Sequence, residues 1–445
     1  MKLIHAKIRW ILQGKDGAST IAQTFLARFI FMALTIVTGM ITARYLGPEG
    51  RGELAAMSLW PQLLAFMATL GLTNSLIYNF KRYPEQKSEL FGTALILGSL
   101  LGTAASIVGF FCIPVWLAKS PEIVIQVARW FVLTAVLDML HGIACAALEA
   151  EEQFGFANQI RYITSPLLSL ITLWILIQFN IINPVNFIIA GIIPKVILVL
   201  WVLVHACRQI QPKFIRLSAS FRNLFRYGLR SYGLDLLGTL ASKIDQIFIV
   251  GVLAAYEVGI YNAALNLASV IAMLQISAGS ILFPKASARP VNEVVEMTAK
   301  TARVTLVLTI VGGATVVLLG PQVLELLYGN EFVAAAPIFR LLVGYTILLG
   351  TTQILMQPFM ALDRPEMATL LQALGLGLNV VMFVLWVPTY GVYGVVYALL
   401  ISGVFRLVAV MVSYPIVLKS RSPNLIPGRA DFVRIYHLVM TGTSS

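Results

Sequence analysis

Residues 235–287, DLLGTLASKIDQIFIVGVLAAYEVGIYNAALNLASVIAMLQISAGSILFPKAS, decide the class of fold. They contain two apolar runs of about 20 residues or more, the length at which a helix crosses the hydrocarbon core of a bilayer. A short polar joint at residues 255–257 separates the two runs. Because the first run carries Asp235, Lys243 and Asp245, and charges at membrane depth are unfavourable, we expect these side chains to line a pathway or to pair.

The joint occurs a second time, 207 residues earlier in the chain. Residues 46–52 (LGPEGRG) align with residues 253–259 (LAAYEVG), and farther along an offset of 211 residues places Lys195 opposite Arg406. The sequence therefore predicts two similar halves of about six spans. Many transporters are built from such repeats, with the substrate site at the interface between them.

The composition is that of a polytopic membrane protein. Of 445 residues, 58% are hydrophobic and 12% are charged, and the mean hydropathy is +0.85. Ordinary globular chains carry about twice that charged fraction. The net charge of +12 could suggest a nucleic-acid partner, but the basic residues fall in loops between apolar runs and mostly on one side. They are therefore interpreted as topogenic, lipid-facing charges, and no nucleic-acid partner is expected.

The predicted fold is an all-α integral membrane protein of about 12 transmembrane helices in two pseudo-symmetric six-helix lobes. The twelve apolar runs are residues 21–43, 54–80, 91–117, 123–148, 156–179, 187–206, 225–253, 258–283, 301–328, 332–359, 367–388 and 392–418. The predicted domains are a cytoplasmic N-terminal segment (1–20), an N-lobe (21–207), a basic cytoplasmic linker (208–224), a C-lobe (225–418) and a cytoplasmic C-terminal tail (419–445).

The basic residues also predict the orientation. Counted over alternate loops, 23 Lys and Arg lie on one side, and only Arg44, Arg51 and Lys119 lie on the other. By the positive-inside rule, both termini face the cytoplasm and the protein is a multi-pass component of the cytoplasmic (inner) membrane. Arg51, beside the first joint, is expected to be a solvated loop charge. The first twenty residues are not a signal peptide, because Lys7 and Arg9 interrupt the apolar core.

Neither a metal site nor a catalytic motif is expected. Cys112, Cys145 and Cys207 have no paired spacing and are interpreted as packing residues. The four histidines are scattered, and the sequence contains no P-loop, GxSxG or GxGxxG motif. The predicted outer loops are short and nearly uncharged, which leaves little room for a catalytic loop. We therefore expect a protein that is not an enzyme and has no cofactor.

Charged residues within the spans are the candidate site residues. Each must pair, reach the membrane surface or line a wet cavity. Arg406 is expected to reach the cytoplasmic surface, whereas Arg28 and Asp235, equivalent in the repeat, could form a salt bridge between lobes. The candidates for substrate binding in the cavity are Arg28, Arg129, Lys195, Lys243, Arg340, Asp235 and Asp245, and those for ion coupling are Asp138, Asp235 and Asp245.

Several segments resemble one known family, the Wzx-type oligosaccharide flippases (polysaccharide biosynthesis proteins) of the MATE-like MOP superfamily. The segments are RYLGPEGRG at 44–52, KIDQIFIVG at 243–251, VGIYNAA at 258–264, LFPKAS at 282–287, GPQVLELLYG at 320–329, and Asn379 followed by PTYGVYG at 388–394. They cover nearly the whole chain in the family's order. Many relatives have fourteen spans, whereas twelve are predicted here.

The resemblance implies a flippase with two six-helix lobes around a cavity that opens alternately to either side. Such flippases move a polyprenyl-diphosphate-linked oligosaccharide, such as an O-antigen, capsule or exopolysaccharide repeat unit, across the cytoplasmic membrane. Their cavities are often cationic, which would give Arg28, Arg129 and Lys243 a diphosphate or an acidic sugar to bind. The lipid bilayer and the polysaccharide polymerase and glycosyltransferase machinery are the further partners. The alternative on the same fold is a MATE-type multidrug/cation antiporter.

Overall fold

The computed structural model describes residues 17–286 and 289–428, and these residues form mainly long helices. The helices are α1 (Gly17–Ala68), α2 (Leu72–Arg82), α3 (Lys87–Trp116), α4 (Glu122–Phe131), α5 (Ala135–Ala150), α6 (Phe154–Asn158), α7 (Ser165–Gln178), α8 (Pro184–Ile210), α9 (Leu217–Val252), α10 (Ala255–Ala286), α11 (Val291–Leu318), α12 (Gly320–Tyr328), α13 (Ala336–Ala361), α14 (Pro365–Tyr390) and α15 (Val392–Ser413). The predicted segment 1–20 and tail 419–445 lie largely outside the described residues.

Ten regions of the described chain are long and apolar enough to cross a membrane, which makes this a multi-pass membrane protein. The first region, Leu26–Arg82, contains two of the predicted runs, so the ten regions cover eleven of the twelve. The remaining run, 225–253, lies in α9, which is not among the ten. The all-helical class is therefore confirmed, and the count of twelve stays a prediction.

The described chain divides into two units. Unit 1 contains the residues up to Leu236 together with Ala254–Gly259, and unit 2 contains Leu237–Leu253 and the residues from Ile260 onward. The predicted lobe boundaries stay a prediction.

Unit 1 has its core between α3 and α5. Phe80, Phe91 and Leu148 are fully buried there. Gly98 and Gly102 allow the two helices to approach closely, since a Cβ atom on Gly98 would lie 2.2 Å from Ile143 Cδ1. Small residues at helix contacts are common in membranes, where lipid tails leave packing as the main attraction between helices.

Unit 2 has a separate core around α13 and α15. The Phe359 and Tyr414 rings meet edge to face with centroids 5.2 Å apart, and the Tyr414 hydroxyl donates to Leu355 O at 2.7 Å. Arg406 is buried against Gly375, where a Cβ atom would lie 1.8 Å from Arg406 Nε. The prediction that Arg406 reaches the membrane surface is therefore wrong, because the missing Gly375 side chain makes room for the guanidinium inside the bundle.

Both predicted joints interrupt helices. Gly47, at φ 65° and ψ −175°, breaks α1, and the second joint separates the end of α9 at Val252 from the start of α10 at Ala255. Glu257 accepts a hydrogen bond from Ala254 N at 3.3 Å, where a carboxylate stabilises the helix N-terminus. Arg51 is buried and packs against Gly39, so the expectation of a solvated charge there is wrong.

The two joints also pack on each other within unit 1. A Cβ atom on Gly52 would lie 1.8 Å from Ala255 O, and a Cβ atom on Gly259 would lie 1.8 Å from Pro48 O. The 207-residue offset relates Gly52 to Gly259 and Pro48 to Ala255, so the contact is reciprocal. The backbones of the two joints are in direct contact here. Their separation permits Cα–H···O contacts and leaves no room for a side chain.

Replacing Gly259 with Ala should separate these backbones and lower the melting temperature of the purified protein, at a cost of about 1–3 kcal/mol for overpacking. The control is Gly377→Ala in α14, where a Cβ atom meets nothing within 4 Å. An alanine there should leave the melting temperature unchanged or raise it, because glycine weakens a helix interior. Equal melting temperatures for Gly259→Ala and the wild type would contradict the reciprocal contact.

Candidate functional site

A stripe of polar side chains follows one face of α5. Thr134, Asp138, His141, Cys145 and Glu149 are spaced four, three, four and four residues apart, so they stack along one side of the helix. At 1.5 Å per residue the stripe is about 22 Å long, most of the thickness of a hydrocarbon core. Such a stripe within an apolar span needs partners on neighbouring helices.

Lys195 of α8 is the partner at one end of the stripe. Its Nζ lies 2.8 Å from Asp138 Oδ2 and 3.1 Å from Thr134 Oγ1, and it lies 5.3 Å from the ring centroid of Phe131. The Lys195 and Asp138 side chains are 22% and 26% exposed. The carboxylate, the hydroxyl and the ring together compensate the desolvation of the ammonium group.

The start of α8 is set by a local sequence signal. Asn183 Oδ1 accepts a hydrogen bond from Asn186 N at 2.7 Å, and Pro184 occupies the first helical position. An asparagine cap followed by proline is a strong helix-start signal. From that cap α8 runs 27 residues and brings Lys195 beside α5.

A cavity of about 250 Å³ adjoins the ion pair. Its lining comes from α1, α5, α7 and α8 and from Phe131 at the end of α4. The polar lining residues are Ser58, Gln62, Asp138, His141, Ser165, Ser169, Thr172 and Lys195. Each of α1, α5, α7 and α8 contributes polar groups, which line the cavity together with apolar side chains.

His141 lies at the centre of the stripe and also lines the cavity. Its Nε2 is 3.6 Å from Cys145 Sγ, and its buried Nδ1 has no hydrogen-bond partner among the described residues. His141 therefore brings a buried, unpartnered ring nitrogen to the site that contains Asp138 and Lys195.

The other end of the stripe meets a π-helical turn at Gln159–Thr164. Arg161 in this turn forms an ion pair with Glu149 (Nη1 to Oε1, 2.7 Å). The guanidinium carbon of Arg28 lies 5.8 Å from the ring centroid of Tyr162 in the same turn. Because π-helical turns occur frequently at functional sites, this turn belongs to the candidate site.

Two further ion pairs hold the loop that follows α5. Glu151 pairs with Lys87 at 2.7 Å and Glu152 pairs with Lys81 at 2.6 Å. The hydrogen bond from Lys81 lowers the pKa of the Glu152 carboxyl below its usual value. This second pair is open to solvent, with side chains 56% (Lys81) and 73% (Glu152) exposed. It therefore offers a natural comparison for the partly buried pair of Lys195.

The structure brings only Asp138 and Lys195 of the predicted site residues together in this cavity. Arg129 donates from Nε to Phe110 O at 3.1 Å and lies over the Phe110 ring, whereas Asp138 pairs with Lys195. Arg340 is exposed.

The predicted salt bridge between Arg28 and Asp235 is not formed. Arg28 lies over Tyr162, and Asp235 Oδ2 accepts a hydrogen bond from Asn74 Nδ2 at 2.5 Å. Both of these contacts lie within unit 1. Each residue therefore has a different partner in this structure.

Lys243 and Asp245 have separate partners in unit 2. Lys243 Nζ donates to Gln246 Oε1 at 3.1 Å, and the buried Asp245 accepts a hydrogen bond from the Tyr261 hydroxyl at 2.5 Å. Residues two apart on a helix point to different faces, which is consistent with these separate partners.

Sequence reasoning missed the pairing of Asp138 with Lys195, and it missed His141 and the cavity's hydroxyl and amide groups. The sequence did contain a signal for the cavity's hydroxyl and amide groups. Polar residues within or beside the apolar runs include Ser58, Gln62, Ser165 and Ser169. Their convergence on one cavity depends on the packing of α1, α5, α7 and α8, which the sequence pattern does not specify.

Comparison with known proteins identifies the family. The model of the polysaccharide biosynthesis protein family matches residues 41–337, two thirds of the chain. The chain belongs to this family. A relative in Haloferax volcanii, described as a probable low-salt glycan biosynthesis flippase Agl15, is 22% identical over 185 residues, which are 41% of this chain and 39% of the relative. The matched part is thus about two fifths of that relative's length.

A second relative, the uncharacterized membrane protein MJ1068 of Methanocaldococcus jannaschii, is 19% identical over 371 residues, which cover 76% of this chain and 72% of the relative. Among solved structures, lipid II flippase MurJ in an inward closed conformation has a TM-score of 0.74 at 15% identity and covers 95% of this chain and 93% of its own. An inward-facing multidrug MATE transporter of the MOP superfamily has a TM-score of 0.66 at 15% identity, covering 93% and 96%. The polysaccharide biosynthesis protein described here therefore has the MOP fold, as predicted.

Removing either charge of the partly buried pair should destabilise the protein. We expect Asp138→Asn or Lys195→Met to cost about 1–3 kcal/mol, between the values for exposed and buried pairs. The double variant should cost less than the two single changes together, because no unpaired charge remains. Thermal melting of all four proteins in one detergent tests this, with Lys81→Met and Glu152→Gln as controls that should change little. Additive losses would show that the two charges do not interact.

Proposed function

We propose that this polysaccharide biosynthesis protein is a flippase. Its substrate is a polyprenyl-diphosphate-linked oligosaccharide, such as an O-antigen, capsule or exopolysaccharide repeat unit, which it moves across the cytoplasmic membrane by alternating access. The observation that carries the proposal is the family match over residues 41–337. The fold shared with a lipid II flippase supports it, because that protein is also named as a flippase of a lipid substrate.

The proposal includes no covalent chemistry by the protein. It places the chain in the cytoplasmic membrane with both termini in the cytoplasm, following the distribution of basic residues. Arg28, Arg129, Lys243 and Arg340 are proposed contacts for the diphosphate or for acidic sugars, since basic side chains bind phosphate well and arginine can do so with two donors. Glycosyltransferases would supply the glycan, and a polysaccharide polymerase would receive it.

The cavity of unit 1 is proposed as the site of ion coupling. A proton or a cation that binds Asp138 must compete with Lys195, which already holds that carboxylate at 2.8 Å. Occupation of Asp138 would free the ammonium group and change the charge pattern between α5 and α8. One elementary charge moved through 100 mV supplies about 2.3 kcal/mol, enough to bias a two-state transporter. Asp235 and Asp245 are the other proposed coupling residues.

A drug antiporter on the same fold would need a free acidic group to bind a cationic substrate. In the described cavity, the one carboxylate, Asp138, is already neutralised by Lys195. This geometry favours the flippase over the antiporter.

The test of the function is the pool of lipid-linked glycan in cells that lack this protein. We expect repeat units linked to the polyprenyl carrier to accumulate on the inner leaflet, with loss of surface polysaccharide. Tolerance to cationic drugs, measured on the same cells, should not change. Unchanged glycans together with increased drug sensitivity would overturn the flippase and support the antiporter.

Restoring the protein as a variant tests the coupling site in the same cells. Asp138→Asn should reduce export of the glycan at least tenfold at equal protein level, because the titratable carboxylate is lost. Glu152→Gln, which removes a carboxylate from the exposed pair with Lys81, should restore export fully. Full export by Asp138→Asn would remove Asp138 from the coupling mechanism and leave the flippase assignment in place.

A further inference from the structure

The first turns of α9 have one face that is fixed inside unit 1. The Ser75 hydroxyl donates to Leu224 O at 2.6 Å, and the rings of Tyr78 and Tyr227 stack with centroids 3.9 Å apart. Leu224 is fully buried and Ser220 is 1% exposed. This face therefore packs against α2. Its position determines which other faces of the helix are exposed.

A second face of the same turns is an exposed apolar stripe. Phe221, Phe225 and Leu229 are spaced four residues apart and are 42%, 40% and 54% exposed. The rings of Phe221 and Phe225 stack on each other, with centroids 5.3 Å apart. Large apolar side chains that form a continuous exposed stripe mark a surface that contacts a membrane or another molecule.

Two arginines border the stripe along its length. Arg222 and Arg226 each follow a phenylalanine by one residue, about 100° farther around the helix, and both are exposed. Neither forms an ion pair with a carboxylate within the part of the chain that the structure describes. A helix within the hydrocarbon core would not carry exposed arginines beside every turn of its apolar stripe.

We propose that this face, formed by Phe221, Phe225 and Leu229 with Arg222 and Arg226, is a docking surface for the headgroups of anionic phospholipids. The apolar stripe enters the boundary between headgroups and acyl chains, as it does in amphipathic helices that lie at a membrane surface. The guanidinium groups then stand at the level of the phosphates, to which arginine can donate two parallel hydrogen bonds.

Charge complementarity selects the lipid. A zwitterionic headgroup carries no net charge to balance the arginines, whereas phosphatidylglycerol carries one negative charge. Each basic residue near an anionic surface strengthens binding by about fivefold. The proposal concerns the bilayer around the protein, so it does not depend on the nature of the transported glycan.

The test is lipid binding by the purified full-length protein. It is titrated in mixed micelles with phosphatidylglycerol or with phosphatidylcholine of the same chains, and bound lipid is counted by native mass spectrometry. The wild type should bind phosphatidylglycerol more tightly. The double variant Arg222→Gln/Arg226→Gln should bind it about 10- to 30-fold more weakly, and Arg222→Lys/Arg226→Lys should keep most of the preference.

The matched control removes two other exposed basic residues. Arg289 and Lys300 lie just before and within α11, and each is paired with a glutamate, Glu293 at 3.5 Å and Glu296 at 2.6 Å. Because these charges are already compensated, Arg289→Gln/Lys300→Gln should retain the preference for phosphatidylglycerol. Equal loss in both double variants would show a general effect of net charge and would overturn the proposal.

Photo-crosslinking locates the bound lipid. Phosphatidylglycerol that carries a diazirine near its headgroup should label the peptide containing residues 217–229 in the wild type, and labelling should fall in Arg222→Gln/Arg226→Gln. Equal binding of the two lipids by the wild type, or crosslinks confined to other segments, would overturn the surface. Glycan export is measured separately, so failure here leaves the flippase proposal untouched.

Discussion

The hydrocarbon core of a membrane offers no water to satisfy a polar group, so a polar side chain within a span must find a protein partner or line a cavity. Threonine and serine side chains within the helices meet this constraint locally, as Thr42, Thr172 and Thr309 do by donating to a carbonyl one turn earlier. A charged side chain has no such local solution. Asp138 and Lys195 therefore pair across two helices, and this ion pair adds to the apolar packing of α5 against α8.

The internal repeat meets the same constraint in two different ways. Lys195 and its repeat counterpart Arg406 both lie inside their helix bundles, but Lys195 pairs with a carboxylate next to a cavity, whereas Arg406 packs in a notch left by Gly375. The joints kept their equivalence more closely, since Gly52 and Gly259 make the same backbone contact in reciprocal fashion. The two joints thus make equivalent backbone contacts, whereas the two basic residues have different surroundings.

The sequence was sufficient for the membrane class, the helical fold and the family resemblance, because each depends on patterns along the chain. Apolar length identified the spans, and the repeated joint at residues 46–52 and 253–259 indicated two similar halves. The contacts between side chains on different helices could not be predicted from these patterns. The burial of Arg406 depends on Gly375, thirty-one residues away on α14, and the Asp138–Lys195 pair joins residues fifty-seven apart. No periodicity in one helix encodes such a contact.

The most direct measurement of the central claim is transfer of a lipid-linked glycan between leaflets of vesicles that contain only this purified protein. A fluorescent oligosaccharide on a polyprenyl diphosphate is incorporated in both leaflets, and an impermeant quencher reports the fraction on the outside. A flippase should make nearly all of the glycan accessible, whereas protein-free vesicles should stop near one half. Accessibility that stays at one half, in vesicles that accumulate a cationic dye, would contradict the account.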